Sequence, residues 1–273
     1  MENLALLLIA AAAISPLHAA VVGHWRFEGD PFLADSGPNA LTLANPAGAP
    51  NVTQVALPGT GAGSAYPAMV LGSPNGSAAR FDGTNDRLTS PDNALFEDTT
   101  FTVEAFVTLT ADNASTKTIA GHWNADGNQR GWLFGISGGE VPVLLTSPNG
   151  TNTVTTSSGL PALALNTDYY VSVTVDMADT SAGGMTFYIM DLTNGGVLQS
   201  AGAAHADLSF FDSSTSFAIG ATAQATSTWT GLIDEVRISD SKLSVDQLMV
   251  VPEPGSLGLM VFAAGLAGCR RRR

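Results

Sequence analysis

Asp234 is the residue of this sequence whose type and setting most clearly predict chemistry, because it is a carboxylate within an apolar strand. Alternation along that strand places Leu232, Val236 and Ile238 on the same face as Asp234. Burying a carboxylate costs free energy unless it is hydrogen-bonded, paired or bound to a metal ion. The pattern predicts that Asp234 points inward and holds a cation, accepts backbone N–H bonds or pairs with Arg80.

A second set of oxygen-bearing side chains recurs at every other position from Asn124 to Asn128, with Asp126 between them. This spacing resembles the start of a calcium-binding loop, which a glutamate closes at the twelfth position. That position is Gly135 here. We therefore interpret the segment as an Asn/Asp turn between two strands.

Aromatic residues flank this turn. Trp132 lies in an apolar strand and is interpreted as core, whereas polar residues surround Trp123. An aromatic face left exposed at the edge of a β-sandwich can stack on a sugar ring. Trp123 and His122 are therefore candidates for a carbohydrate platform, with burial in the core as the alternative.

Catalytic constellations are not evident in the sequence. Glu104 is the one carboxylate of its strand, and Glu97 and Asp98 precede it in a loop. The single cysteine, Cys269, lies in the C-terminal tail, so the body has no Cys–His nucleophile pair and no disulfide. We predict that the protein is not an enzyme.

The charge balance excludes one class of partner. A mature form without the leader and the tail keeps 11 − 4 = 7 basic and 24 − 2 = 22 acidic residues, a net charge of −15. Such a body cannot neutralise phosphates, so we predict no nucleic-acid partner.

Short alternating segments must position these residues. Phe101 to Leu109 is the clearest, with its odd-numbered residues forming one apolar face. Residues 46–75 are rich in Gly, Pro and Ala and are interpreted as a long surface loop or an insertion around one weak strand. The segment from Leu243 to Val250 predicts one or two helical turns, with a capping box at Ser244 and Gln247. Further strands are predicted at 21–28, 77–88, 118–122, 132–136, 141–146, 169–176, 185–191, 216–220 and 232–239.

Both ends of the chain differ from this body. Residues 1–20 resemble a secretory leader, with an apolar stretch from Leu4 to Ile14 and small residues at Ala19 and Ala20. A cut after Ala19 would place Leu17, which is not small, at the third position before it. We predict a cleaved leader rather than an anchor, because the apolar stretch is too short to span a membrane comfortably.

The C-terminal tail, residues 251–273, has three parts. Pro252, Glu253 and Pro254 form a rigid extended tripeptide. An uncharged apolar stretch over residues 255–268 predicts a short helix. The chain then ends on four arginines, which the positive-inside rule holds on the cytoplasmic side: Arg270, Arg271, Arg272 and Arg273. The tail predicts transient anchoring in a membrane, because the apolar stretch is short for a permanent span.

Three segments of the body carry a family resemblance. They are residues 23–28 (GHWRFE), residues 79–83 (ARFDG) with the strand at 101–106, and residues 231–238 (GLIDEVRI). Residues 21–250 resemble the laminin-G-like domains of the concanavalin A-like jelly rolls. The resemblance implies an all-β fold, a two-sheet antiparallel jelly-roll sandwich, flanked here by the leader and a short C-terminal apolar helix.

This resemblance also implies ligands. Related jelly rolls often hold one structural Ca²⁺ where the first and last strands meet, and by position the candidate ligands are Glu28 or Asp35, the Gly83 carbonyl and Asp234. The fold often binds carbohydrate. Relatives that cleave β-glucans carry a Glu-x-Asp-x-x-Glu strand, which this sequence lacks.

The tail resembles the PEP-CTERM sorting signal of bacterial surface proteins. That resemblance implies export by the secretion machinery and cleavage near Pro252–Pro254 by an exosortase, a membrane peptidase. The protein would then reach the cell surface or extracellular matrix of a Gram-negative-type bacterium. We predict a non-catalytic body that binds extracellular polysaccharide or a protein partner, with a passive structural component of the matrix as the alternative. A glycoside hydrolase is the less favoured alternative.

Overall fold

The fold consists almost entirely of β-strands. The computed structural model describes residues 19–29, 31–46, 52–57 and 61–251. Helical structure in this part of the chain is limited to two short 3-10 turns, Ala94–Phe96 and Val245–Gln247. The strands are β1 (Val21–Trp25), β2 (Thr53–Ala56), β3 (Met69–Val70), β4 (Ser73–Pro74), β5 (Ser77–Asp82), β6 (Leu88–Ser90), β7 (Thr100–Leu109), β8 (Lys117–Asn124), β9 (Gln129–Ile136), β10 (Pro142–Gly150), β11 (Val154–Ser157), β12 (Asp168–Asp176), β13 (Met185–Asp191), β14 (Gln199–Ala203), β15 (Phe217–Ile219) and β16 (Thr230–Ser239). The all-β expectation is confirmed.

Two antiparallel sheets face each other. The larger sheet has the order β14-β13-β12-β7-β16-β5-β2, with β1 paired to β16, and the smaller sheet has the order β11-β10-β9-β8-β15-β6. Strands β8 to β11 and β12 to β14 follow one another in both the sequence and the sheet, whereas other neighbours are far apart in the sequence, as in β7 beside β16 and β8 beside β15. This arrangement confirms the predicted two-sheet jelly roll.

The strand β16 organises the larger sheet. One edge of it pairs with β7, while the other edge pairs with β5 over its first half and with β1 over its second half. A bulge between Asp234 and Arg237 separates the halves, and Glu235 there has a φ of 50°. The extra residue shifts the alternation of all side chains that follow it.

The main core lies between the sheets. The predicted apolar face of β7 is confirmed, because Phe101, Val103, Ala105, Val107 and Leu109 all belong to this core. An aromatic stack fills one end of the core, with ring centroids 5.0 Å apart for Trp25 and Phe217 and 4.4 Å apart for Phe96 and Phe217. Two buried indole nitrogens donate to carbonyl oxygens at 2.7 Å, Trp25 to Leu41 and Trp132 to Phe96, so these two rings lose no hydrogen bond on burial.

The opposite face of the larger sheet is also buried, beneath a second apolar cluster. Phe106 and Tyr170 on the sheet pack there with Tyr66, Leu248 and Met249 from outside it. Residues 61–76 and 243–251 therefore cover this face. The described part of residues 46–75, interpreted as a surface loop or an insertion around one weak strand, is more structured than expected, because it supplies β2, the β3–β4 hairpin and the buried Tyr66.

Hydrogen bonds attach the C-terminal covering segment to the sheet. The backbone N–H of Leu243 donates to Thr102 Oγ1 at 3.0 Å, and that of Met249 donates to Glu104 Oε1 at 2.8 Å. The predicted helical turn is a single 3-10 turn, and Gln247 Oε1 accepts from the Ser244 N–H at 3.0 Å, as the capping box predicted. The leader up to residue 18 and the tail from Pro252 onward lie outside the described residues.

Candidate functional site

Asp234 is fully buried, as predicted, but on the other face of the sheet. The bulge places Val236 and Ile238 in the core between the sheets, whereas Leu232 belongs to the second cluster on the opposite face. The Asp234 carboxylate accepts from Asn75 Nδ2 at 2.9 Å and from the Glu235 N–H at 2.8 Å. Burial raises the pKa of Asp234 well above its usual value, and the charge of Glu235 raises it further. The alternative of a backbone N–H bond is therefore confirmed, and the pairing with Arg80 is wrong.

The other predicted calcium ligands each organise a different turn. Asp35 accepts three backbone N–H bonds, from His24 at 2.8 Å, Gly37 at 2.7 Å and Leu41 at 2.9 Å. Glu28 accepts from the N–H groups of residues 76 and 77 at 2.6 and 2.9 Å.

The Gly83 carbonyl accepts from Thr228 Oγ1 at 2.7 Å. Glu28, Asp35 and Asp234 do not form a group of three carboxylates whose oxygens all lie within 4.8 Å of one another. Calcium requires six to eight converging oxygens. Protein N–H and O–H groups already bind several of the predicted ligand oxygens in separate turns, and the calcium site stays a prediction.

The predicted carbohydrate platform is not exposed. Trp123 is only 5% exposed and His122 is fully buried. The ring of His122 lies against Phe96, with centroids 6.0 Å apart, and its Nε2 lies 2.5 Å from the Thr215 carbonyl oxygen. Neither ring presents a free face on which a sugar could stack, so this prediction is wrong, and the alternative of burial is confirmed.

A buried ion pair on the larger sheet was not predicted. Glu104 and Arg237 face each other across β7 and β16, and the Arg237 Nε donates to Glu104 Oε2 at 2.7 Å. The Tyr170 hydroxyl donates to the other oxygen, Oε1, at 2.6 Å. Burial and the neighbouring Glu104 raise the pKa of Tyr170 well above its usual value. This carboxylate is fully buried and saturated by protein donors, so it cannot reach a substrate.

A second buried carboxylate lies at the bulge. The Arg26 Nε donates to Glu235 Oε1 at 2.9 Å, and Glu235 Oε2 lies 2.5 Å from His24 Nε2. The bulge directs this side chain toward β1, so three residues from opposite ends of the chain meet there. We interpret the group as structural, because each charge has a partner within the fold.

Acidic side chains surround His122 at one end of the sandwich. Ligand atoms of Asp92, Glu97 and His122 all lie within 4.8 Å of one another, and His122 Nε2 is 3.2 Å from Asp92 Oδ1. These three residues follow β6, precede β7 and lie on β8, so the jelly-roll topology brings them together. They are the residues of the described chain that could share a metal ion.

The protonation of this acidic group is unusual. Burial, a hydrogen bond with Asp212 and the charges of Asp212 and Asp92 raise the pKa of Glu97 to about 7. Burial lowers the pKa of His122, so the imidazole is kept neutral. Glu97 is therefore partly protonated near neutral pH.

A cleft of about 340 Å³ adjoins this acidic group. The start of β1, the loop before β7 and the end of β16 line it. Three carboxylate side chains contribute to the lining, Glu97, Asp98 and Asp240. None of the described lining residues carries a basic side chain.

Two turns are structural. The Gly127 N–H donates to Asn124 Oδ1 at 3.1 Å, and Asn128 has a φ of 53°, as a tight hairpin between β8 and β9 requires.

A Gly-x-Ser-x-Gly segment spans Gly135–Gly139, but it leads into β10 rather than into a helix, unlike a nucleophile elbow. The Ser137 Oγ there accepts from the Gly139 and Val141 N–H groups at 3.2 and 3.3 Å.

The two-sheet topology and its core define a concanavalin A-like jelly roll. The family model described as the concanavalin A-like lectin/glucanases superfamily, a laminin-G-like model, matches residues 82–249, more than half of the chain. This protein therefore belongs to that family. A PEP-CTERM protein-sorting motif matches residues 250–273. No curated protein matches the chain.

Two solved structures illustrate the similarity in fold. Domain 4 of AbnA, an extracellular GH43 arabinanase from Geobacillus stearothermophilus, was solved in complex with arabinotriose. It has a TM-score of 0.51 and 21% identity, over 84% of this chain and 96% of that one. The binding domain of botulinum neurotoxin serotype G has a TM-score of 0.52 and 13% identity, over 82% of this chain but only 48% of that one. At such identities the similarity shows the fold alone.

The membrane segment predicted in the tail lies outside the described residues. Within the part of the chain that the structure describes, no helix has the length and apolar character needed to cross a membrane. The sorting motif begins at residue 250, directly after the last core residues Leu248 and Met249.

Proposed function

We propose that this protein is an exported bacterial surface or matrix protein whose tail an exosortase cleaves. One observation carries the proposal: a PEP-CTERM sorting motif directly follows a complete jelly-roll sheet in the same chain. The leader-like residues 1–20 support export. The protein is the substrate of the sorting reaction, and the tail anchors it in the membrane until the cut.

The body is proposed to be non-catalytic. Its central strand carboxylate, Glu104, is enclosed by Arg237, Tyr170 and Met249. A glycosidase instead needs two accessible carboxyl groups about 5 Å or more apart.

Two roles for the body remain open to experiment. The arabinotriose bound to domain 4 of AbnA supports polysaccharide binding by this type of fold. The burial of aromatic side chains favours the other role, a passive structural component of the matrix, because all the described aromatic residues are buried except Phe32 and Phe211, which are partly buried.

Mass spectrometry of the protein recovered from the cell surface tests the sorting step. We expect a C-terminus near Pro252 and accumulation of uncut, membrane-bound chains when Pro252 and Pro254 are replaced by alanine. Pro91→Ala, in an exposed turn of the body, is the matched control and should be cut normally. Surface-exposed protein that retains Arg273 would overturn the proposal.

A glycan array probed with the mature protein separates the two roles of the body. Binding to a matrix polysaccharide supports the binding module, with loss of signal expected on competition by the free sugar. If the protein binds none of the polysaccharides of the producing cell but still stays with the isolated matrix, the structural role is supported.

A further inference from the structure

The first residues that the structure describes are attached to the end of β16. The backbone N–H of Ala20 donates to Asp240 Oδ1 at 2.9 Å, and the N–H of Asp240 donates back to the Ala20 carbonyl at 3.1 Å. Val21 then begins β1 opposite Ser239. Ala20 is thus the last position of the ladder between β1 and β16, and a side-chain carboxylate is directed at its nitrogen.

The surroundings of that nitrogen are acidic. Ala20 lines the 340 Å³ cleft together with Glu97, Asp98 and Asp240, and no described residue of the lining is basic. A neutral amide N–H donates a hydrogen bond to a carboxylate but does not compensate its charge. An ammonium group donates the hydrogen bond and also compensates the charge. The cleft therefore provides an environment suited to a positive charge at the position of the Ala20 nitrogen.

Removal of the leader would create that charge. The residue directly before the cut is small both for a cut after Ala19 and for a cut after Ala20. The third residue before the cut is Leu17 in the first case and His18 in the second, and neither is small. Hydrolysis adds water across one peptide bond, leaving a carboxylate on the leader and a free amine on the body. An α-amino group has a pKa of about 7.7–8.0 and is mostly protonated at neutral pH.

We propose that the leader is cut between Ala19 and Ala20 and that the new α-ammonium group of Ala20 forms an ion pair with Asp240 in this acidic cleft. The inference rests on the proposed export of the protein. A cut one residue later would remove Ala20 and both of its hydrogen bonds with Asp240, and Val21 would begin the chain without a facing carboxylate bond. Of the two cuts, only the one after Ala19 leaves an α-ammonium group facing Asp240.

N-terminal mass spectrometry of the exported protein tests the cut. The expected first residue is Ala20. A first residue at Val21 or elsewhere in the body overturns this inference but leaves the proposed export intact. Surface-exposed protein that retains Met1 overturns both.

Thermal unfolding of the purified exported protein tests the ion pair. Asp240→Asn is expected to lower the Tm by about 1–3 °C, as for one partly exposed pair in a domain of this size. Selective acetylation of the α-amine should lower the Tm similarly, and the two changes together should cost no more than one alone. Asp126→Asn, an exposed acidic residue of the β8–β9 turn, is the matched control. Equal effects of Asp240→Asn on the acetylated and free forms would overturn the ion pair.

Discussion

Glu104 and Glu235 are both fully buried carboxylates on the larger sheet, and each one faces a guanidinium group from a distant part of the chain. A buried charge of this kind is tolerated only while its partner is present, because removing one member leaves the other uncompensated in a medium of low dielectric constant. The second cluster excludes water from Glu104, which makes its pairing with Arg237 more sensitive to substitution than a surface pair.

Arg237→Met should therefore destabilise the body by about 3–5 kcal/mol, since it leaves the Glu104 charge without its partner. Urea unfolding at neutral pH measures this loss. Arg80→Met is the matched control, because Arg80 is exposed on the neighbouring strand β5. The double variant Glu104→Gln with Arg237→Met should recover part of the loss, and a loss below about 1 kcal/mol for Arg237→Met would contradict the role assigned to the pair.

The proton held by Glu97 predicts a dependence of stability on pH. Its pKa is about 7 in the folded state and near 4.5 for an unperturbed glutamate, so the folded state binds this proton more tightly. The contribution of Glu97 therefore favours folding at low pH and is lost as the pH rises from about 4.5 to about 7. Asp212→Asn removes the main neighbouring charge and should reduce this loss.

Chemical denaturation at a series of pH values checks that expectation. The difference in unfolding free energy between Asp212→Asn and the wild type should grow in favour of the variant between about pH 5 and pH 8. Asp126→Asn should give no such growth. A constant difference across the series would show that Asp212 does not hold the Glu97 proton.

At the residue scale, the sequence predicted the burial of Asp234 but not its surroundings. Alternation within one strand is enough to expect an inward carboxylate. Its partner Asn75 is 159 positions away, in a segment without periodicity. The polar sequence neighbours of Trp123 leave both an exposed and a buried position open, because side-chain burial depends on segments that pack over the sheet from elsewhere.

At the scale of the elements, β16 shows where periodicity fails. The apolar residues of this strand were expected on one face with Asp234, but the single extra residue at Glu235 moves Val236 and Ile238 to the opposite face. In this bulge a glutamate, Glu235, occupies the position with positive φ, so the residue types of the strand do not reveal the bulge. Strand existence was therefore predictable from alternation, whereas the face occupied after the bulge was not.

Gly231 gives the element-scale prediction. It has a φ of 134°, and a Cβ atom there would lie 2.0 Å from the Thr108 carbonyl oxygen of β7. Gly231→Ala should force β16 away from β7 and cost more than about 2 kcal/mol of unfolding free energy. Gly139→Ala is the control, since its nearest neighbour would be Ser137 Oγ at 3.8 Å. Equal urea midpoints for the two variants would contradict this constraint.

At the scale of the whole molecule, the two-sheet fold follows from short alternating strands, but the second apolar layer does not. Tyr66 lies in a Gly- and Ala-rich segment that has no alternation, and Leu248 lies beyond the last strand. Both residues are buried because Phe106 and Tyr170 present a second apolar face on a sheet whose other face is the main core. A sheet with two buried faces needs covering segments, and the sequence does not show which segments provide them.

The C-terminal cover sets a boundary for tail removal. Leu243 and Leu248 are buried in the second cluster, and Met249 supplies an N–H bond to Glu104. Burial of the two leucines alone contributes about 3–6 kcal/mol. A chain of residues 20–251 should therefore keep a cooperative thermal transition, whereas a chain of residues 20–240 should lose at least about 3 kcal/mol and expose the Glu104–Arg237 pair. Differential scanning calorimetry on the two chains measures this, and equal melting temperatures would contradict it. Because a cut before Met249 would unfold the cover, the proposed cut has to lie beyond that residue to release a stable body.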